Sequence, residues 1–232
     1  MEADTGPHDS GADFRSGARA CLPALPTLFF IFAGFGVAAR EGGVPAEAAL
    51  LMTALVYAAP AQYAMLDAAG AGASALSAVM VGVTANLRFF VMSLTLRGMF
   101  RHAPRRATAR WAHFVAATPF LLTFFRSRRE KPGDLFAFYR GVSVVMIPPI
   151  FLGTVAGWWA GGGLPPALAF GGTLFMPVYF SLLIASDFKG GREAAAVIAG
   201  FLLTPPLETL APGWGLLGAG LVTGGALAVR ER

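Results

Sequence analysis

The stretch that decides the fold runs from Gly141 to Ser186: GVSVVMIPPIFLGTVAGWWAGGGLPPALAFGGTLFMPVYFSLLIAS. Its 46 residues contain no Asp, Glu, Lys or Arg, and a Gly- and Pro-rich turn at 161–166 interrupts it midway. A helix needs roughly 20 apolar residues to cross a bilayer. The stretch therefore predicts two membrane spans joined by a tight turn.

Composition extends this prediction to the whole chain. Of the 232 residues, 56% are hydrophobic and only 13% are charged, whereas about a quarter of the residues of soluble proteins carry a charge. Residues 1–19 are polar and predict a disordered tail, and residues 20–230 predict a single transmembrane domain. The arginines cluster at the ends of apolar segments, which fits the positive-inside bias of membrane proteins better than nucleic-acid binding. Cys21 is the only cysteine, so the chain cannot form an internal disulfide.

Eight apolar segments follow one another along the chain. They cover roughly residues 20–39, 43–66, 68–96, 111–125, 141–160, 164–186, 194–210 and 213–229. The fourth segment is too short to cross, because 15 helical residues reach only about 22 Å against a hydrocarbon core of ~30 Å. We therefore predict an all-α polytopic membrane protein with about seven transmembrane helices and one short re-entrant or interfacial segment.

The distribution of Lys and Arg tests this topology. Without Arg88, which lies inside the third segment, 17 basic residues remain. Seven spans with the N-terminus outside put 15 of them inside and 2 outside, whereas eight spans with the N-terminus inside give 11 and 6. The positive-inside rule favours seven spans. In an alternative topology, the segment with Gly34 and Gly36 is re-entrant and the N-terminus lies inside. This topology satisfies the positive-inside rule equally well, so the side of the N-terminus stays open.

A weak internal repeat is typical of transporters. Pro23 and Pro26, Ala33-Gly34, Gly42 to Pro45 and Pro60 are echoed by Pro148 and Pro149, Ala156-Gly157, Gly162 to Pro165 and Pro177. In the seven-span topology the first and fifth segments run in opposite directions, as an inverted repeat requires. The alternative is that Gly and Pro are simply frequent in membrane helices.

Polar residues within the apolar segments are the candidate substrate site, because each is costly in hydrocarbon unless it has a partner or faces a wet cavity. Gln62 follows Pro60 in the second segment, and Asn86 and Arg88 lie in the third. Pro60 leaves a backbone carbonyl unpaired, so this region offers oxygens for an ammonium, and Arg88 offers a guanidinium for a carboxylate. The set suits a zwitterionic amino acid.

These residues also have simpler interpretations. Arg88 could end a span and reach lipid phosphates, and Gln62 and Asn86 could join helices by hydrogen bonds. Gly34 and Gly36 could allow close helix packing, or act with Pro177 as helix breaks or gating positions. The sequence contains no Walker loop, metal-ligand cluster or nucleophile elbow. It therefore predicts neither an enzyme nor a bound cofactor or metal.

Three motifs resemble the AzlC family of branched-chain amino acid permeases. They are Ala24-Leu25-Pro26 leading to Phe35-Gly36, Ala49 to Thr53 with Ala61-Gln62-Tyr63, and the run from Ala85 to Ser93 around Asn86-Leu87-Arg88. The resemblance covers nearly the whole chain beyond the tail. It implies export of leucine, isoleucine, valine and related amino acids across the bacterial cytoplasmic membrane, together with a small multispanning partner of the AzlD type.

The fourth segment departs from the family pattern. Where the family often has a Thr-Asp-Glu element, this chain has Thr118-Pro119-Phe120. Roles for that acidic pair in proton coupling or ammonium binding therefore cannot be carried over. Pro119 instead favours a backbone break, with the Thr118 hydroxyl as a further substrate-site candidate. We expect a secondary transporter, with a channel or a noncatalytic membrane assembly subunit as the alternatives.

Overall fold

The structure, a computed structural model, describes residues 10–100, 103–129, 133–163, 191–210 and 215–229. Every regular element in these ranges is a helix. The helices are α1 (Ser10–Cys21), α2 (Leu25–Glu41), α3 (Ala46–Val56), α4 (Ala59–Gly70), α5 (Ala75–Met99), α6 (Arg105–Trp111), α7 (Ala117–Ser127), α8 (Leu135–Gly161), α9 (Gly191–Leu210) and α10 (Gly215–Val229). Short 3-10 turns join α1 to α2 and extend α6. The sixth apolar segment, with Pro177, lies outside the described residues.

Three of the described helices are long and apolar enough to cross a bilayer. They are the continuous run Ser10–Glu41, which combines α1 and α2, and the helices α5 and α8. The prediction of an all-α membrane protein is thereby confirmed, while the number of spans stays a prediction.

Glycines bring α1 and α2 into backbone contact with α8. A Cβ added at Gly157 would overlap the backbone of Ala33, so no larger residue fits there without displacing the helices. The contacts follow the same order on both helices: Gly141 faces Phe14, Gly153 faces Phe29 and Gly161 faces Val37. The run Ser10–Glu41 and α8 therefore pack in parallel, along a stripe of small residues of the kind that lets membrane helices approach closely.

This parallel packing corrects the predicted inverted repeat. The first and fifth apolar segments, expected to run in opposite directions, run in the same direction. Between them lies one long helix, α5, which is antiparallel to α8 because Leu96 and Phe100 at its end pack against Phe136 at the start of α8. Helix α5 therefore starts at the end of the bundle where α2 ends, and α8 starts at the end where α5 ends. The second and fourth segments must then both turn back on themselves.

The second apolar segment is a hairpin of two half-length helices, α3 and α4, and not a single span. Tyr57 between them has a left-handed backbone with φ of 51°, and Ala58 is extended. The chain reverses there, because Gln62 Nε2 of α4 donates to Thr53 Oγ1 of α3 at 3.1 Å. Leu66 then returns to the cluster from which α3 starts. We call α3–α4 the first hairpin.

The second hairpin consists of α6 and α7 and opens toward the opposite end of the bundle. Helix α6 starts beside the end of α5, and the backbone becomes extended at Val115 and Ala116. Helix α7 then leads back to Arg126, whose Nη2 lies 3.4 Å from a carboxylate oxygen of Asp13 in α1. This reversal agrees with the prediction that residues 111–125 turn back, although their position relative to a bilayer stays a prediction.

Each hairpin and the long helix after it form one unit of an inverted repeat. Helices α3, α4 and α5 correspond in order to α6, α7 and α8. Matching residues start the matching helices: Pro45 and Pro104, then the extended Ala58 and Ala116, then the side-chain caps Ser74 and Asp134. Because α5 and α8 are antiparallel, the two units have opposite orientations. The repeat thus exists, but in a different register from the predicted one.

Residues 10–19, expected to belong to a disordered tail, instead form most of α1. Asp13 fixes this helix to the start of α8, because its Oδ2 accepts from the Asp134 backbone N–H at 2.7 Å. Ser10 Oγ donates to Asp134 Oδ2 at 2.8 Å. The polar residues that suggested disorder therefore have partners more than a hundred residues away, as these bonds record.

Arginines mark the end of the bundle at which α5 ends and α8 begins, which we call the arginine-rich end. They are Arg97, Arg105, Arg106, Arg110, Arg126, Arg128, Arg129 and Arg140. Arg40 lies at the opposite end, where its guanidinium sits 4.1 Å from the Trp158 ring centroid. Helix α1 also starts at the arginine-rich end, because Asp13 contacts Arg126 and Asp134 there.

Candidate functional site

The tips of the two hairpins contact each other. The ring centroid of Tyr57 in the first hairpin lies 5.5 Å from that of Phe114 and 5.8 Å from that of His113 in the second. His113 Nε2 donates to the carbonyl of Ala54 in the last turn of α3 at 2.7 Å. One of the carbonyls that a helix end leaves without an intrahelical partner is therefore satisfied by the other hairpin.

Helices α4 and α7 both begin at this contact, and neither has a side-chain cap. The residues before them, Ala58 and Ala116, are extended and form no side-chain cap hydrogen bond. A helix leaves its first N–H groups without intrahelical partners. Pro60 and Pro119 suit first-turn positions because proline has no N–H to leave unpaired. Two helix N-termini, each the positive end of a dipole, meet at one place.

A cavity of about 80 Å³ lies where these N-termini meet, and we call it the central cavity. Pro60 of the first hairpin, Thr118 of the second and Arg88 of α5 all line it. Three of the five predicted substrate-site residues, far apart in the sequence, are thus brought together. Helices α2 and α8 contribute only apolar side chains to the lining, which we call the apolar wall: Leu28, Ile31, Phe32, Met146 and Ile150.

Two donors at the cavity have no polar partner among the described residues. The Arg88 side chain is exposed in the isolated chain, and its guanidinium lies 5.0 Å from the Phe89 ring without a carboxylate beside it in the described part of the chain. Tyr57 also lines the cavity. Its side chain is only 4% exposed, and its hydroxyl has no hydrogen-bond partner within the described ranges. Both groups are available to a ligand.

Gln62, predicted at the substrate site, does not line the central cavity. It is fully buried, and its Nε2 donates to Thr53 Oγ1, which in turn lies 3.0 Å from Thr154 Oγ1 of α8. This network ties the first hairpin to α8. The alternative interpretation, that Gln62 joins helices by hydrogen bonds, therefore describes its position better than direct substrate contact.

Asn86 supports the tip of the first hairpin from behind the cavity. Its Nδ2 donates to the carbonyl of Val56, the last residue of α3, at 3.2 Å. Asn86 lines a separate groove with Met65 and Gly82 rather than the central cavity. With His113, it pairs two carbonyls at the end of α3 and so stabilises the break that orients α4.

The predicted gating positions lie at packing contacts. Gly34 and Gly36 are buried in α2, and a Cβ at Gly36 would overlap the Thr154 backbone, which fits the close-packing interpretation. Pro119 is buried in the first turn of α7. Tyr57 and His113, by contrast, were not singled out as site residues. Only the resemblance between Ala58-Ala59-Pro60 and Ala116-Ala117-Thr118-Pro119 could have drawn attention to the two breaks.

The described residues contain no group of three or more His, Cys, Asp or Glu side chains that could hold a metal ion. The central cavity itself offers backbone N–H groups, a guanidinium and hydroxyls beside an apolar wall. Such an arrangement can bind a small molecule that has an anionic end and an apolar end.

Comparison with known proteins gives one finding. The family model described as AzlC protein matches residues 23–164. This range is more than half of the chain and contains α2 to α8, and so both hairpins and the central cavity. No curated protein and no solved structure shows a significant match.

Proposed function

The chain belongs to the AzlC family, and from this premise we propose that it is a secondary transporter that exports branched-chain or similar small apolar amino acids. The family makes it a multi-pass membrane protein of transport. The substrate, the direction of flux and the bacterial cytoplasmic membrane as its location are part of the proposal. No catalytic role is proposed.

The central cavity is the observation that carries this proposal. The N-termini of α4 and α7 and the guanidinium of Arg88 form a polar wall, which suits a carboxylate because helix N-termini and Arg both favour anions. Met146, Ile150 and the side chains from α2 form an apolar wall that suits a branched hydrocarbon side chain. A volume of only about 80 Å³ favours small substrates.

The hairpin arrangement favours a transporter over a channel. The two hairpins open toward opposite ends of the bundle, and their tips pack against each other through Tyr57, His113 and Phe114. This contact supports a closed, gated site between inverted repeats, the usual location of a substrate site in secondary transporters. A channel would instead need a continuous polar lining.

A small membrane partner of the AzlD type is also part of the proposal. Helix α5 carries large apolar side chains that are exposed in the isolated chain: Leu76, Val79, Met80, Val83, Leu87, Phe90, Val91 and Leu94. Such a surface can face lipid or pack against further helices. Co-expression with the small protein encoded by a neighbouring gene should yield a complex that survives in detergent.

Flux measurements in proteoliposomes test the proposal. The chain, with and without its neighbouring small protein, is reconstituted and loaded with leucine, isoleucine, valine, lysine or glutamate. We expect saturable flux of the three branched-chain amino acids and little flux of the charged ones. Unitary conductance steps in planar bilayers would indicate a channel. Absence of flux for all amino acids, with a stable complex, would indicate a noncatalytic assembly subunit.

A further inference from the structure

The central cavity offers a guanidinium and two helix N-termini to an anion but, among the described residues that line it, no carboxylate to an ammonium group. We propose that it recognises its substrate through the carboxylate alone, so that small apolar monocarboxylates without an amino group bind as well as the amino acids do. This inference rests on the proposed function, since it concerns the same site. It extends the substrate class from amino acids to small branched carboxylates.

The donors come from four separate elements of the chain. The first turns of α4 and α7 present the N–H groups of Ala59 and of Ala117 and Thr118, and no side chain caps either helix. Arg88 adds a guanidinium and the buried Tyr57 an unpaired hydroxyl. Uncapped helix ends inside a protein are rare unless a ligand satisfies them.

The described lining of the cavity gives an ammonium only neutral side-chain acceptors, the hydroxyls of Tyr57 and Thr118. No Asp or Glu is among the described residues that line it. Two of the carbonyls at the end of α3, which a broken helix could offer to a cation, already accept hydrogen bonds. His113 donates to Ala54 O at 2.7 Å and Asn86 to Val56 O at 3.2 Å.

The charges around the cavity add to this asymmetry. Each helix N-terminus carries the positive end of a dipole, equivalent to about half an elementary charge, and the Arg88 guanidinium adds a full one. An ammonium placed among these groups is repelled, whereas a carboxylate is attracted. Removing the amino group from the substrate should therefore not weaken binding, and should strengthen it if the ammonium stays near the polar wall.

A ligand series on the reconstituted full-length chain, with its small partner protein if one co-purifies, tests the inference. The ligands are leucine, 4-methylpentanoate, which is leucine without its amino group, and leucinamide, which lacks the carboxylate. Each competes against leucine flux, and direct binding is measured by calorimetry. We expect 4-methylpentanoate to bind within about threefold of leucine or more tightly, and leucinamide to bind at least about tenfold more weakly.

The outcomes separate the inference from the proposed function. Binding of leucine without competition by 4-methylpentanoate would overturn carboxylate-only recognition and leave amino-acid transport intact. Binding of 4-methylpentanoate without leucine would support carboxylate recognition and overturn amino-acid export. If neither ligand binds a correctly inserted protein, both proposals are wrong.

A designed variant provides a second, independent readout. Thr118→Asp places a carboxylate at the cavity wall, where it can pair with an ammonium. The ratio of leucine affinity to 4-methylpentanoate affinity should then rise about tenfold relative to the wild-type chain. Thr108→Asp in α6, outside the cavity, is the matched control and should leave the ratio unchanged. An unchanged ratio in a folded, inserted Thr118→Asp protein that still binds leucine would contradict the inference.

Discussion

Arg88→Lys is the sharpest test of the central cavity, because lysine keeps the positive charge and removes the planar pair of donors. Arg88 lines the cavity together with the apolar residues of α2 and α8, and within the described residues no carboxylate competes for its guanidinium. If the guanidinium binds the substrate carboxylate, the substitution replaces a two-donor contact with a single-point contact.

The expected loss follows from the exposure of this side chain. Hydrogen bonds to charged groups contribute about 1.5–3 kcal/mol. Arg88 is exposed in the isolated chain, so its contact is screened and the lower end of this range applies. A loss of ~1.4 kcal/mol corresponds to a tenfold change in affinity, so the concentration of leucine that gives half-maximal flux should rise about tenfold.

The assay measures initial leucine flux against concentration in proteoliposomes, together with the amount and orientation of inserted protein. Arg97→Lys, on the same helix but at the arginine-rich end, is the matched control and should change the half-saturating concentration by less than about twofold. Wild-type kinetics in a well-inserted Arg88→Lys protein would refute the carboxylate contact. They would indicate instead that Arg88 only extends toward lipid phosphates, which lysine can also do.

Four further predictions follow from the fold. In a Cys21→Ala background, cysteines introduced at Glu41 and at Ala73 should both react with an impermeant reagent from outside. Cysteines introduced at Arg106 and at Arg128 should react only after permeabilisation. If the cysteines at positions 41 and 73 react from opposite sides, residues 43–66 cross the membrane. Gly157→Ala should lower the free energy of unfolding in detergent by about 1–3 kcal/mol or more, because the added Cβ overlaps the Ala33 backbone. Gly98→Ala has open space at its Cβ and should not destabilise the protein. Equal thermal stability of the two variants would contradict the packing. Gln62→Ala should lower the stability by about 1–2 kcal/mol with little change in leucine affinity. Its effect on stability should be non-additive with that of Thr154→Val, because both residues belong to one hydrogen-bond network. A loss of leucine affinity without a loss of stability would indicate that Gln62 contacts the substrate. Burial of Asp134 raises the pKa of its carboxyl, but hydrogen bonds from Ala137, Ser10 and Phe136 outweigh this effect and hold the pKa below its usual range. The carboxylate therefore contributes to stability above about pH 4, and this contribution is lost as the pH falls through the lowered pKa. Asp134→Asn should flatten the acid side of a plot of melting temperature against pH, and an unchanged plot would argue against this role.

Composition and segment length sufficed for the fold class, because the hydrocarbon core imposes its own requirements on every segment. The short fourth segment was expected to differ from the spans, and in the structure it contains a break at Val115 and Ala116. The second segment was not, because residues 43–66 are as long and as apolar as a span. Its break depends on partners remote in the chain: His113 and Asn86 pair the carbonyls that the left-handed Tyr57 leaves at the end of α3. Pro60 is a signal of a disturbed helix within residues 43–66, but membrane helices tolerate proline, so it does not distinguish a hairpin from a kinked span.

The candidate site could be predicted only in part, for a related reason. A polar residue in an apolar segment must have a partner, and this rule finds Arg88, Gln62 and Asn86 equally well. It does not say whether the partner is a substrate or another helix. The structure separates them: Arg88 has no polar protein partner among the described residues, whereas Gln62 donates to Thr53 and Asn86 to Val56. Tyr57 escaped prediction because a tyrosine in such a segment is more often an interfacial or packing residue.

The register of the repeat explains why the central cavity has two unlike walls. An inverted repeat relates the backbones of α3–α5 to those of α6–α8, so each unit brings one helix N-terminus and the middle of one long helix to the same place. The side chains at matching positions of the two units can differ. Helix α5 contributes Arg88 and Phe89, whereas α8 contributes Met146 and Ile150. A symmetric pair of walls would suit a symmetric ligand such as an inorganic anion. The observed lining, with a guanidinium from one long helix and apolar side chains from the other, instead suits the ligand that we propose, with a carboxylate at one end and a hydrocarbon at the other.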